Sequence, residues 1–428
     1  MDNNSVLANK LVGKIPEDWS YINFKDVYGK PIRDFGSFST TKLITFLSDG
    51  VPFLKSEMIN EGSIDWTNTY YISEEVHKLL NKSYVEKDTI LFSKIGSALG
   101  KAVVYTGEKG VCNSNAAIAK IILNEQIADK YYYTYILNNS LAKKQFLRLI
   151  VSLLPRINLG DISDLVLPLP PLPEQQKIAK ILSTWDKAIS ITERLIDNST
   201  QQKKALMQQL LTGKKRLLDD EGKRFEGEWE KEILKNLGKT FIGLVTTMTK
   251  SYVDEGIPLI RNSDIKPNHI TKERMLSLCE EFATKHENRK LREGDVVTVH
   301  TGEVGVSAVI DRELDGCIGF ATLNTRPDTE RLNPHFLSWY FNSEYFINWC
   351  VSMSTGDGRQ NLNLKDFVKA EVPLPSLDEQ KKIVSVLTNA VKEIELLEQQ
   401  LADLEQEKKA LMQVLLTGKK RVVINDRT

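Results

Sequence analysis

The sequence predicts an α+β protein with two tandem domains of mixed helix and strand, each followed by a long helix, the two helices pairing as an antiparallel coiled coil. Two observations carry this prediction. A near-identical segment occurs twice, and a diverged region with short β-branched runs precedes each copy. With 428 residues, 41% of them apolar, the chain can bury more than one domain core.

The repeat is explicit in the residues. The run LPLPPLPEQQKIAKIL begins at Leu167 and returns as VPLPSLDEQKKIVSVL from Val372, and KKALMQQLLTGKKR from Lys203 returns as KKALMQVLLTGKKR from Lys408. Both pairs share one offset of 205 residues, so the segment is a duplicated structural element. We therefore expect four regions: a domain over 1–160, a long helix over 161–217, a second domain over 218–365 and a second long helix over 366–428.

Each repeated segment has the pattern of a helix. Glu174 and Glu379 follow a helix-blocking Pro-Leu-Pro run, and Gly213 and Gly418 suit C-terminal caps. About 38 residues would give a helix roughly 57 Å long. Apolar residues recur at alternating steps of four and three, which predicts a heptad seam. The seam contains Ile178, Leu182, Trp185 and Ile189 in the first copy and Ile383, Leu387, Ile394, Leu397 and Leu401 in the second. Antiparallel pairing within one chain is favoured, and dimerisation between chains is the alternative.

The diverged regions predict α+β domains with a substantial sheet. Strand-like runs occupy 88–92, 102–105, 295–299 and 307–310, and a helical stretch follows in each region, at 129–148 and 333–350. The repeat extends faintly into these regions, since Cys112 aligns with Cys317 and Tyr135 with Tyr340. Similar domains with different surfaces would perform related but different tasks.

Composition excludes several classes of protein. No run of apolar residues is long enough to span a bilayer, and the opening Met-Asp-Asn-Asn-Ser lacks a secretory pattern. The four cysteines, Cys112, Cys279, Cys317 and Cys350, are scattered as expected for reduced thiols in a cytoplasmic protein. The net charge of zero means that any contact with nucleic acid would depend on local basic groups or on partner chains.

The sequence contains no motif that predicts an active site. The run Ser93–Lys101 is one residue too short between its glycines for a phosphate loop, and Ala102 stands where a Mg²⁺-binding hydroxyl belongs. The five histidines have no zinc-hydrolase spacing, and methyltransferase loops and a placed nuclease motif are absent. We therefore expect no catalytic residues, no metal and no cofactor.

The repeated segment resembles the conserved regions of specificity subunits of type I restriction–modification systems. The Pro-Leu-Pro-x-Leu-x-Glu-Gln-x-x-Ile start, the Leu-Leu-Thr-Gly-Lys end, the duplication and the tryptophans near the start of each domain, Trp19 and Trp229, carry the resemblance over the whole chain. It implies two target-recognition domains that each read one half of a split, asymmetric DNA site. It also implies that the paired helices hold those domains at a fixed spacing and dock two methyltransferase (modification) subunits, with two restriction (translocase and nuclease) subunits completing the complex.

Base reading needs polar side chains on loops that can enter a groove, and three zones recur in both copies. The first follows a Pro-containing strand, the second is a Gly-punctuated turn and the third follows the domain's helix. The DNA-binding candidates are Lys55, Ser56, Lys94, Lys101, Asn113, Asn115 and Arg156 in the first domain, and Arg261, Asn262, His300, Thr301, Arg359, Gln360 and Asn361 in the second. Arg359 is the best single candidate, because glycines flank a donor-rich tip.

Two other functions stay open at this point. A non-enzymatic coiled-coil scaffold for proteins would suit the neutral charge and the heptads, but it would leave two diverged domains without a purpose. A nuclease or methyltransferase in its own right is opposed by the missing motifs.

Overall fold

The computed structural model describes residues 14–36, 42, 44–148, 155–356 and 360–424. The chain forms two compact units. Unit 1 contains residues 1–192 and 400–428, and unit 2 contains residues 193–399. Each unit therefore holds one mixed domain, the start of one long helix and the end of the other.

Ten α-helices occur among the described residues, and two of them are long. They are α1 Glu74–Leu79, α2 Lys130–Asn138, α3 Ser140–Leu147, α4 Leu159–Ser163, α5 Leu172–Leu210, α6 Glu280–Lys285, α7 Pro334–Phe341, α8 Glu344–Met353, α9 Leu364–Phe367 and α10 Leu377–Leu415. The long helices α5 and α10 have 39 residues each. The predicted pair of long helices is confirmed.

Most strands of the two units correspond in order. Unit 1 contains β1 Ser20–Asn23, β2 Tyr28–Arg33, β3 Val51–Leu54, β4 Tyr70–Ile72, β5 Tyr84–Val85, β6 Thr89–Ser93, β7 Ala102–Tyr105, β8 Cys112–Ser114, β9 Ile118–Leu123 and β10 Val166–Leu169. Unit 2 contains β11 Glu230–Ile233, β12 Gly238–Ile242, β13 Tyr252–Val253, β14 Ile257–Arg261, β15 Ile265–Lys266, β16 His269–Ile270, β17 Leu276–Leu278, β18 Val296–Val299, β19 Ser307–Val309, β20 Ile318–Phe320, β21 Thr322–Pro327 and β22 Glu371–Leu374.

The first sheet repeats between the units, and the second repeats in part. Unit 1 has four-stranded sheets in the orders β2-β9-β6-β7 and β4-β3-β8-β5, and unit 2 has them in the orders β12-β21-β18-β19 and β13-β17-β14-β20. In each unit a parallel pair, β3 with β8 or β14 with β20, belongs to the second sheet. A two-stranded pair, β1 with β10 or β11 with β22, joins the start of the domain to the strand before the long helix.

The helical stretch predicted in each domain is broken into two helices. Asn139 separates α2 from α3, and its side chain accepts a hydrogen bond from the backbone N–H of Leu141. Ser343 caps α8 in the same way, since its side chain accepts a hydrogen bond from the backbone N–H of Phe346. Asparagine and serine favour such caps because their side chains satisfy the free N–H groups of a first turn.

The long helices pair in antiparallel fashion within each unit. In unit 1, the early α5 residues Ile178 and Leu182 share a core with Leu415, near the end of α10. In unit 2, the early α10 residues Ile383 and Leu387 share a core with Leu210, at the end of α5. The start of each helix thus packs against the end of the other, inside one chain. The remaining predicted seam residues are half-buried, apart from the buried Ile394; they are Trp185, Ile189, Leu397 and Leu401.

Both long helices end in the same way. Gly213 and Gly418 have φ angles of 70° and 69°, a left-handed conformation that glycine adopts without a steric penalty. The backbone N–H of Lys215 donates to Gln209 O, and that of Lys420 donates to Val414 O, each at 3.1 Å. The predicted glycine caps are confirmed.

A buried carboxylate fixes the start of α5 in unit 1. The side chain of Glu174 is 1% exposed, and both of its oxygens accept hydrogen bonds from Arg421, at 2.7 and 2.8 Å. The indole N–H of Trp19 donates to the same carboxylate at 3.0 Å. Arg421 also binds Asp18, and Glu174 and then Asp18 raise the pKa of its guanidinium. We call this Trp–Glu–Arg arrangement the clasp.

Unit 2 has the same clasp made from the other copy of the repeat. Arg216 donates to both oxygens of the buried Glu379 at 2.6 and 2.7 Å, and Trp229 donates to Glu379 at 3.0 Å. The guanidinium of Arg216 then binds the backbone carbonyl of Gly227 at 2.6 Å, where Arg421 binds a carboxylate. In both clasps the arginine follows one long helix and the glutamate begins the other.

Other features of the described residues agree with the composition. All four cysteines are unpaired. No helix in the described ranges is long and apolar enough to cross a membrane.

We predict that Arg421→Ala lowers the free energy of unfolding of unit 1 by about 2–3 kcal/mol, because it leaves a buried carboxylate short of its charged donor. Urea denaturation followed by tryptophan fluorescence measures this change. Lys419→Ala is the matched control, since Lys419 is an exposed cation two residues away. Equal effects of the two substitutions would show that the clasp does not stabilise the unit.

Candidate nucleic-acid interface

In unit 2, the loop after β18 lies against the loop after α8. The backbone N–H of Gly302 donates to Gln360 O at 3.0 Å, and that of Leu362 donates to His300 O at 3.0 Å. These bonds join the second and third of the predicted zones into one surface. Because backbone groups make them, these bonds do not depend on which side chains the two loops carry.

Polar side chains from all three zones form a chain across this surface. Asn262 Oδ1 accepts from the backbone N–H of His300 at 3.0 Å, which ties the first zone to the second. His300 Nδ1 lies 2.8 Å from Thr301 Oγ1, and Thr301 Oγ1 donates to Asn361 Oδ1 at 2.9 Å. All four residues are half-buried. We call this set the unit 2 polar chain.

The polar chain indicates which ring nitrogen of His300 carries a proton. Thr301 Oγ1 gives its proton to Asn361, so it accepts from His300 Nδ1–H. The neutral ring then carries its free lone pair on Nε2. Burial lowers the pKa of His300 below its usual value of 6.5, which favours this neutral form. Nε2 can therefore accept a hydrogen bond from a base amino group.

Unit 1 builds the same backbone scaffold with different side chains. The N–H of Gly96 donates to Pro155 O at 3.2 Å, and the N–H of Ile157 donates to Lys94 O at 2.9 Å. Ile95 forms an isolated β-bridge with Arg156, as Thr301 does with Asn361 in unit 2. An exposed arginine thus occupies the position that an asparagine has in the other unit.

The first zone carries a cation in both units, held in different ways. Lys55 Nζ lies 3.4 Å from the ring centroid of Tyr70 and 4.6 Å from that of Phe46. Arg261 instead donates to both oxygens of Asp264, at 3.0 and 2.8 Å. Both cations are half-buried and placed at the end of a strand of the second sheet.

The remaining candidates in described loops are partly accessible. Lys101 Nζ donates to Asn60 Oδ1 at 3.1 Å, and Asn115 Oδ1 accepts from the backbone N–H of Ala117 at 3.2 Å. Ser56 and Gln360 are half-buried. Each could exchange its present contacts for contacts with a ligand without breaking a core.

Two candidates lie inside unit 1, and burial argues against direct contact with DNA. Lys94 is 2% exposed and pairs with Asp34 at 3.0 Å. Asn113 is 0% exposed, and its amide group bonds His77 at 2.6 Å and Ser83 at 2.5 Å. The polar turn that suggested Asn113 is in fact strand β8, which is covered by neighbouring strands and by α1. We exclude both residues from the interface.

Arg359 lies outside the described residues, so its contact with DNA stays a prediction. No group of histidine, cysteine, aspartate or glutamate side chains within the described residues could hold a metal ion.

Comparison with known proteins identifies the family. The model of the type I restriction modification DNA specificity domain matches residues 16–199 and again residues 226–406. The chain belongs to this family.

Its relatives are similar over most of their length. The chain is 25% identical over 421 residues to the type I restriction enzyme MjaVIII specificity subunit of Methanocaldococcus jannaschii. The aligned region covers 96% of this chain and 94% of that protein. It is 26% identical over 353 residues to the EcoBI specificity subunit of Escherichia coli, which covers 78% of this chain and 72% of that protein. The crystal structure of the S subunit of a type I restriction–modification system from M. genitalium has the same fold, with a TM-score of 0.53 at 14% identity over 98% of this chain and 99% of that one.

The sequence does not predict the clasp. It marks Trp19 and Trp229 only as residues near the domain starts, and the repeated glutamates only as acidic residues suited to the helix dipole. A signal was present, since Arg216 and Arg421 share the 205-residue offset with Glu174 and Glu379. What the sequence could not show is that each arginine binds the glutamate of the other copy.

We predict that unit 2 loses stability as pH falls from 7 to 5, and that His300→Gln reduces this loss. Burial holds the pKa of His300 in the folded state below its unfolded value near 6.5. The neutral ring therefore contributes fully to the stability of unit 2 above pH 6.5, and this contribution is lost as the pH falls. Urea unfolding at the two pH values measures the effect.

His335→Gln serves as the control, because burial also lowers the pKa of His335 and that residue lies outside the polar chain. The two substitutions should each remove a separate part of the acid sensitivity. An unchanged pH dependence in His300→Gln would contradict the assignment of the neutral ring.

Proposed function

We propose that this chain is the sequence-reading subunit of a type I restriction–modification complex, and that it recognises a bipartite, asymmetric DNA site. One domain reads each half-site. In that role the chain performs no chemistry on DNA itself, in keeping with a specificity family. The methyltransferase and ATP-dependent nuclease activities would belong to partner subunits.

One observation supports the proposal most strongly. The two units join corresponding loops with corresponding backbone hydrogen bonds, yet present the exposed Arg156 in one and His300 and Asn361 in the other. A common scaffold that presents different donors and acceptors is what two different DNA half-sites require. A scaffold for a repeated protein partner would instead need similar side chains in both units.

The chemistry of the two surfaces predicts different bases. Arg156 is exposed and suits the paired acceptors of guanine, whereas Asn361 suits the donor and acceptor of adenine. His300 Nε2 can accept from an adenine or cytosine amino group. These contacts would supply specificity, while partner chains would supply part of the phosphate contact that a neutral chain lacks.

The long helices would serve as spacer and docking surface. Each is 39 residues, or about 58 Å at 1.5 Å per residue. Exposed apolar side chains on them, such as Leu195 and Leu396, are available to partners. We propose that they dock two modification subunits, that two restriction subunits complete the complex, and that the assembly acts in the cytoplasm.

Substitution of the reading residues should affect one half-site at a time. Arg156→Ala should weaken binding to one half-site by roughly 10- to 100-fold, and Asn361→Ala should do so for the other, since each removes a contact to a base edge. Binding of the complex to DNA duplexes altered in one half-site measures this. Lys144→Ala and Lys365→Ala are the controls, because both lysines are exposed on nearby helices. Equal losses at both half-sites would contradict one domain per half-site.

Helix length should set the spacing between the half-sites. Inserting or deleting turns within 185–200, with a matched change in α10, should change the spacer at about 3.4 Å per base pair and leave both half-sites unaltered. Selection of bound sequences from a random duplex library measures both. Variants that keep the spacer length and alter the half-sites would refute the proposal that helix length sets the spacing.

The scaffold alternative predicts a different outcome. A DNA reader with its methyltransferase partner should be retained on DNA in a salt-dependent manner, with affinity falling as salt releases the phosphate contacts. Equal retention at 50 and 200 mM salt, or none at all, would favour the scaffold instead.

A further inference from the structure

Each unit exposes a pair of large apolar residues that the reading surfaces described above do not use. In unit 1 they are Phe46 and Leu47, which are 42% and 47% exposed. In unit 2 they are Tyr252 and Val253, which are 39% and 38% exposed. Isolated exposed apolar residues are common, but an aromatic–aliphatic pair repeated in two diverged domains is not explained by chance. We call these the edge pairs.

The edge pairs occupy the same position in the fold. Val253 pairs with Ser277 of β17, at the outer edge of the second sheet of unit 2. In unit 1 the corresponding bridge joins Leu47 to Tyr71 of β4, and the backbone N–H of Leu47 donates to Tyr71 O at 2.9 Å. In unit 2 the pair forms the edge strand β13 itself, and in unit 1 Leu47 bridges to the edge strand β4; no further strand lies beyond either pair among the described residues.

The cation of the first zone follows the same sheet as each edge pair. Lys55 Nζ is 4.6 Å from the ring centroid of Phe46. In unit 2, Tyr252 pairs with β17, which also pairs with β14, the strand that ends at Arg261. Asn262, the next residue, binds the backbone of His300. The edge pair thus continues the surface that carries the polar chain.

The surroundings favour the floor of a DNA groove over its phosphate walls. An exposed carboxylate follows each edge pair. Asp49 lies two residues after Leu47, and Asp254 directly follows Val253. Carboxylates repel phosphates but accept hydrogen bonds from cytosine amino groups. A two-stranded β-ribbon fits the major groove, and apolar side chains there contact the methyl group of thymine.

We propose that each edge pair contacts a thymine 5-methyl group in the major groove of its own half-site. This inference rests on the proposed function, since it names a base contact made by a DNA reader. The neighbouring cation and carboxylate fix the orientation of the edge strand, and the apolar pair supplies discrimination of thymine from cytosine. Phe46 and Tyr252 are the leading contacts, because Phe46 lies beside Lys55 and Tyr252 is the aromatic residue at the corresponding position of unit 2.

A thermodynamic cycle between side chain and methyl group tests the proposal. The assembled complex, with its modification subunits, is titrated with its target duplex and with duplexes in which each thymine of a half-site is replaced singly by uracil. Uracil removes only the methyl group, so at one thymine per half-site we expect about fourfold weaker binding by the unaltered protein. The variants Phe46→Ser and Tyr252→Ser should bind the thymine and uracil duplexes equally at that position.

The ratio of the affinities for the thymine and uracil duplexes does not depend on how much of a variant is folded, because both duplexes are titrated with the same protein. Leu79→Ser and Tyr345→Ser are the controls; Leu79 and Tyr345 are 63% and 60% exposed, and these variants should keep the fourfold preference for thymine. If the complex binds its target specifically but no thymine of a half-site is coupled to Phe46 or Tyr252, this inference alone is overturned. Failure of the unaltered complex to discriminate its target from other DNA would instead overturn the proposed function.

Discussion

A buried carboxylate at the start of each long helix is the constraint on which the rest of the fold depends. Glu174 and Glu379 are each 1% exposed. A buried charge is costly unless it is paired and hydrogen-bonded, so an arginine and a tryptophan N–H must reach it together. The arginine always comes from the end of the other helix. Each unit can therefore form only when the two halves of the repeat exchange their helix ends.

This constraint separates the parts of the chain that must stay alike from those that can differ. The Leu-Thr-Gly-Lys-Lys-Arg ends recur because the glycine turns the chain and the arginine completes the clasp. In the reading loops, by contrast, backbone hydrogen bonds hold the geometry. Side chains such as Arg156 and Asn361 can then change without loss of the scaffold, which allows two readers with different preferences on one frame.

The sequence predicted the elements that depend on periodicity and repetition, and it was weaker where tertiary burial decides. The heptads predicted both long helices, and glycine caps predicted their ends. Lys94 and Asn113 looked accessible because they are polar and near turns, but packing within unit 1 buries them. The breaks at Asn139 and Ser343 follow from capping side chains that a helical pattern does not reveal. The edge pairs could not be recognised either, since exposure of an apolar residue is not encoded in its type.

Mapping methylated adenines in random DNA exposed to the assembled complex tests the central claim most directly. Two different readers on one frame predict a single bipartite motif with unlike half-sites, separated by one fixed number of unspecified base pairs. A palindromic motif would contradict the claim of two different readers. Variable spacing between constant half-sites would contradict the proposal that the long helices set the spacing.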